Sequence, residues 1–188
     1  MISIAIYEKM KQKYYPIINQ ILMQNRMFYQ INYAIHWQFG FDEKIAIIAS
    51  CDRKEKIIKV NIVSVDYAFK NNQELMIEYF LLHEIRHIYQ FQEIEKYKKN
   101  PSECDNQFLA KKWLEESLKY KSAVDKNGNE NKEYFFQDME LDAFAYAYAI
   151  MLYKYGKIDY INAPQKYINS EFDSIVEEWI QVFKKENL

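Results

Sequence analysis

Glycine and proline are scarce in this chain, with three of each in 188 residues. So few breakers, set among many long side chains, argue against a many-turned β-sandwich and favour helices. Cysteine is nearly missing too. Cys51 and Cys104 lie far apart and make no Cys-x-x-Cys spacing, which argues against a cysteine zinc site. A disulfide between them stays open. The lack of an export signal favours two free thiols in a reducing compartment. Met1 to Tyr15 holds only the short apolar run Ile2 to Ile6 before Glu8, Lys9, Lys11 and Lys13, which is neither a signal peptide nor a membrane anchor. No window approaches the ~20 apolar residues that span a bilayer. The expectation is a cytoplasmic protein with no membrane partner. A charge excess is absent as well: the formal net charge is −2, so no dedicated nucleic-acid surface is expected. Lys96, Lys98 and Lys99 form the nearest thing to a basic run, and they suit the end of a helix, where cations favour the dipole. With no internal repeat and no low-complexity linker, residues 1–188 read as one domain.

What is present is an ordinary globular balance, 49% hydrophobic and 28% charged, enriched in 17 Tyr and 12 Phe. There are only three histidines, and two of them fall in Phe80-Leu81-Leu82-His83-Glu84-Ile85-Arg86-His87-Ile88-Tyr89. Glu74 to Leu82 leads into this stretch with helix formers, and no Pro or Gly interrupts Gln73 to about Tyr97, so one helix is predicted there. On a helix His83 and His87 share a face one turn apart, close enough to share a metal ion. Glu84 points about 100° away around the axis, flanking the ion instead of ligating it. Metal-assisted hydrolysis needs that arrangement: two imidazoles on the metal and a carboxylate to take a proton from water. A helix whose histidines merely satisfy local hydrogen bonds explains neither the spacing nor the interposed Glu.

The second half of the proposed site lies in Glu133 to Tyr155, a strongly helix-forming segment ending at Gly156, a natural C-cap. Ala143, Ala145, Ala147 and Ala149 leave room for a neighbouring helix. Glu140 shares a face with Phe144, Ala147 and Met151, where a lone carboxylate is costly unless something pairs with it. A metal ion would remove that cost. Asp142 lies about 200° around the helix from Glu140 and serves only as a fallback ligand; Asp138 is displaced to the other side.

The remaining elements frame these two helices. Ser3 to Asn25 carries apolar residues at helical spacing, with a kink or break expected at Pro16. Phe28 to Phe39 alternates strictly enough to predict a strand, with His36 on its polar face as a candidate oxyanion donor. Ile45 to Ala49 and Ile57 to Val65, joined by Asp52 to Lys56, read as a hairpin. The three strands suggest a small antiparallel-type sheet. Pro101-Ser102 suggests a helix start with Ser102 as cap, and Lys121 to Lys132 a loop. Asn162-Ala163-Pro164 reads as punctuation. A last helix from about Glu171, capped by Ser170, carries the stripe Phe172, Ile175, Val176, Trp179, Ile180 and Phe183, for packing or for a partner. The fold class expected is α+β, with residues 1–100 forming the sheet and motif helix and residues 101–188 forming a helical half.

The His83-Glu84-x-x-His87 helix resembles the active-site helix of the zincin metallopeptidases. Glu140-Leu141-Asp142-Ala143-Phe144-Ala145 is similar to the Glu-Ala-Asp/Asn-x-Phe-Ala element of small zincins with a glutamate ligand, such as the ImmA/IrrE-type peptidases. The resemblance implies a zincin-like fold and one Zn2+ per chain on His83, His87 and Glu140. It also implies Glu84 as general base and a peptide or protein as substrate. Two departures stand out. Arg86 is charged where the stricter pattern is uncharged, so it either faces solvent or pairs with a carboxylate elsewhere. Phe144 stands where thermolysin-like enzymes place an aspartate behind the ligand. These departures keep open a catalytically inactive binding or regulatory protein of zincin fold. A protease associated with nucleic acid is the third reading, which the near-neutral charge disfavours.

Overall fold

A computed structural model of the chain describes residues 3–31, 34–42, 48–123, 129, 131–159, 161 and 170–188. The architecture is α+β: seven α-helices and one three-stranded sheet among the described residues. In chain order these are α1 (Ile4–Gln24), β1 (His36–Gly40), β2 (Ala49–Asp52), β3 (Ile57–Asn61), α2 (Ile62–Lys70), α3 (Leu75–Lys99), α4 (Gln107–Ser117), α5 (Lys132–Phe135), α6 (Asp138–Tyr155) and α7 (Ser170–Glu186). No helix among the described residues is long and apolar enough to cross a membrane. Cys51 and Cys104 are free and half-buried.

Helix α3 is the centre of the molecule and is buried on nearly every side. Ile77, Leu81, Ile85 and Ile88 face a core shared with α1, the sheet and α2. Tyr79 and Leu82 face a second core built from α6 and α7. Tyr89 and Ile94 join Trp113 and Met139 in a third. At about 1.5–3 kcal/mol per fully buried aliphatic side chain, these faces hold the helix far more firmly than its propensity does. It starts and ends two residues later than predicted, and Lys96, Lys98 and Lys99 fill its last turn as expected.

The sheet is mixed, not antiparallel. Its order is β1-β3-β2, with β1 parallel to β3 and β2 antiparallel to it. The hairpin forces the second pairing; β1 reaches β3 from the other side, so its direction is free of that constraint. The strand predicted from Phe28 is shorter: Arg26–Phe28 is a 3-10 turn and β1 begins at His36. Tyr29 and Ile31 instead pack on the first core, where β3, only five residues long, offers them no partner. Residues 32–33 and 43–47 lie outside the described residues, and with them most of the predicted strand at Ile45 to Ala49. The run Ile57 to Val65 changes from strand to helix at Asn61, whose side chain accepts the Val63 N–H and caps α2.

Elsewhere the punctuation differs in detail. Pro16 sits inside one continuous α1, its exposed position letting water satisfy the carbonyl that its missing N–H would have bonded. Asn100, not Ser102, caps the short turn Pro101–Glu103, and Asn106 caps α4. The segment predicted as one helix from Glu133 is broken before Asp138. Glu116 of α4 accepts the N–H groups of Asp138 and Met139, supplying α6 with its own N-terminal cap. Ser170 is already helical in α7, and the Asn162-Ala163-Pro164 stretch lies outside the described residues. The α7 stripe packs into the core beside α6, burying Phe172, Val176 and Phe183, so that apolar face is not left for a partner.

Gly156 closes α6 with φ +71° and ψ −160°, a region essentially reserved for glycine. Gly156→Ala is therefore expected to destabilise the chain by about 1–3 kcal/mol, read as a lower urea midpoint. Glu140 lies at the other end of the helix and should be unaffected.

Candidate metal centre

Helices α3 and α6 pack directly on each other, and the candidate site lies between them. The alanine run makes this close approach possible: Ala143, Ala145, Ala147 and Ala149 are all fully buried. His83 and His87 lie one turn apart on α3 with their Nε2 atoms 3.0 Å apart. From α6, Glu140 brings Oε2 to 3.3 Å from His83 Nε2 and Oε1 to 3.2 Å from His87 Nε2. The three side chains are buried and could hold a metal ion, each offering one donor atom. Four-coordinate metal at bond lengths of about 2.0–2.1 Å places neighbouring donors about 3.3 Å apart. The observed separations of 3.0–3.3 Å match that spacing within a few tenths of an ångström.

Electrostatics point the same way. Glu140 is 0% exposed and its Oε2 has no hydrogen-bond partner. Burial alone would push its carboxyl up, but the two imidazoles hold it well below the usual carboxylate range. Burial works against a charged His87, yet the Glu140 carboxylate outweighs it and raises the imidazole to about 9. Without an ion a proton thus does the work of a cation. Such a cluster of converging lone pairs favours a positive charge, and a divalent ion would neutralise the two buried carboxylates, Glu84 and Glu140.

Glu84 stands beside the cluster, not in it. Its Oε1 lies 3.9 Å from His83 Nε2, and the backbone N–H of Cys51 on β2 donates to its carboxylate. Burial raises its pKa, the His83 and His87 charges opposing that shift. Edge strand β2 therefore positions the candidate base, a role that nothing in the sequence around Cys51 reveals.

Two tyrosines reach the site from outside the motifs. Tyr120 donates its phenol to Glu140 Oε1, and Tyr134 packs edge-on against it with ring centroids 6.2 Å apart. Burial and the charge of Glu140 push both phenols up, so both stay protonated donors. Tyr120 remains 45% exposed, on the outer side of the cluster. His36 is exposed on β1, the edge of the sheet away from β2, and is not brought to the site.

Asp142, the fallback ligand, is engaged elsewhere. Arg86 is buried and donates to it twice, Nε to Oδ2 at 2.7 Å and Nη2 to Oδ1 at 3.1 Å. Four aromatic rings surround the guanidinium: Tyr89 at 4.3 Å, Tyr146 and Trp179 at 4.8 Å each, and Trp113 at 5.7 Å. Arg86 thus takes the paired alternative, and its charge is balanced and covered by cation–π contacts. Phe144 lies against the His83 ring with centroids 4.0 Å apart, so that imidazole is held by packing and not by an aspartate.

No protein-family model matches the chain, and neither a curated protein nor a solved structure matches it significantly.

Proposed function

We propose that the chain is a zinc-dependent hydrolase of zincin-like fold, cleaving peptide bonds. The observation that carries this reading is the meeting of His83, His87 and Glu140 from two helices, with the Glu84 carboxylate alongside but not within the donor set. Two imidazoles and one carboxylate are the donor set of a catalytic zinc, which leaves a position open, in contrast to the closed all-protein shells of structural sites. A zinc ion bound there supplies Lewis acidity and lowers the pKa of water to about 7.

The chain's own groups do the rest. Glu84, desolvated and steadied by the Cys51 N–H, takes the proton from the attacking water and returns it to the leaving amine nitrogen. Its pKa, raised by burial, makes it a better proton acceptor than an ordinary carboxylate, and the acid so formed is the donor to the leaving nitrogen. Tyr120 and Tyr134 stand beside Glu140, and once an ion neutralises that carboxylate their phenols are the groups free to steady the charge that develops on the scissile carbonyl, the role weighed for His36. The apolar packing around α3 keeps bulk water from the Glu84 side. Arg86 and the absent aspartate, which favoured an inactive protein, count for less once Arg86 is paired with Asp142.

The test is direct. Zinc-loaded chain should cleave members of a pool of unstructured peptides, followed by mass spectrometry; chelator should stop the cleavage and added zinc restore it. If the chain holds about one zinc and leaves every peptide intact, the hydrolase reading falls and a non-catalytic binding protein stands.

A further inference from the structure

The motif histidines are oriented by different means. His87 Nδ1 lies 2.8 Å from Gln90 Oε1, three residues on along α3. The amide of Gln90 is fully buried, and its nitrogen is spoken for twice: Nε2 donates to the Met139 carbonyl at 2.9 Å and to Asp142 Oδ2 at 2.8 Å. Those two acceptors leave the amide one orientation. Its oxygen must face His87, and an oxygen can only accept, so Nδ1 carries a proton in either charge state, and in the neutral imidazole that a metal ion binds, Nε2 is the nitrogen left with the lone pair. Asp142 is in turn fixed by two hydrogen bonds from Arg86, whose Nη1 donates to Gln30 Oε1 at 2.8 Å.

We propose that Gln90 is a positioning residue for the metal centre, held by Asp142 and Arg86, and that it commits His87 to bind metal through Nε2. The inference rests on the metal-site reading above. It gives Asp142 and Arg86 a function without making either a ligand: the motif's charged departure closes a chain Arg86–Asp142–Gln90–His87 that supplies the orienting bond. A neutral amide does here what a carboxylate does more commonly behind a ligating imidazole. It does so without adding a third negative charge to a pocket that already holds two.

The experiment is a long-range 1H–15N correlation on zinc-loaded, 15N-labelled wild-type protein, paired with zinc affinity measured by competition against a chromophoric chelator. The expected spectrum shows His87 zinc-bound at Nε2 with a slowly exchanging proton on Nδ1. Gln90→Leu and Gln90→Met, which keep the bulk and remove the acceptor, are expected to weaken zinc binding 10–100-fold and to lose the protection of that proton. Zinc bound to His87 through Nδ1 overturns the proposal while sparing the metal site, and so does unchanged affinity in both variants. Failure of the wild type to take up zinc at all overturns the metal reading and this inference with it. The wild-type spectrum decides the matter even if a variant does not fold.

Discussion

Glu84→Gln is expected to lower the rate of peptide cleavage by about 10²–10⁴, the contribution typical of a general base, while zinc content stays at its wild-type value. The substitution is close to isosteric, and the amide oxygen can still accept the Cys51 N–H that the carboxylate accepts now. Since Glu84 Oε1 lies 3.9 Å from His83 Nε2 and outside the donor set, the ion should not depend on it. The measurement is kcat alongside metal content on the same preparation. Equal rates for variant and wild type would remove Glu84 from the mechanism. Loss of metal together with rate would make Glu84 a ligand and require the site to be redrawn.

The second large effect is on the metal itself. Glu140→Ala removes one of three donors from a fully buried site, and zinc affinity is expected to fall by about 100-fold or more, beyond what loss of an orienting partner typically costs. Elemental analysis of protein purified without chelator should show about one zinc in the wild type and a small fraction of that in the variant. Asp142 is no substitute, because its two oxygens are taken by Arg86 and Gln90. Full zinc retention in Glu140→Ala would show that the donor set lies elsewhere.

The parts of the site that the sequence disclosed are those set by short-range spacing. His83, Glu84 and His87 are placed by one turn of one helix, and Glu140 stood out because a carboxylate on an apolar helical face calls for a partner. The parts that stayed hidden depend on meetings between distant segments. Arg86 looked like a blemish in the motif, and only α6 and α7, arriving with Asp142, Tyr146 and Trp179, turn it into a paired and covered charge. Gln90 was within reach, three residues past His87, but an amide on a helix says nothing until Met139 and Asp142 fix which way it faces. Tyr120 and the Cys51 N–H carry no local signal at all. The same division applies to the fold. The long helices were legible from periodicity, whereas in the alternation that begins at Phe28 the side chains of Tyr29, Ile31 and Ile35 pack on the first core, and the paired strand begins only at His36. The break ahead of α6 was invisible because its cause, Glu116, lies in a different helix.

The cage around Arg86 also bears on the order in which the chain can fold. Three of its four rings and its carboxylate belong to elements that follow α3 in sequence. Until they dock, the middle of α3 carries a bare guanidinium beside the apolar residues that later form its core contacts. Burying that charge unpaired costs several kcal/mol, so the early helix resists packing that face against any wrong apolar surface. An unpaired Arg86 therefore disfavours burial of that face before Asp142 and the later rings arrive. His83 and His87 meet Glu140 through the same docking of α6 that brings Asp142 to Arg86.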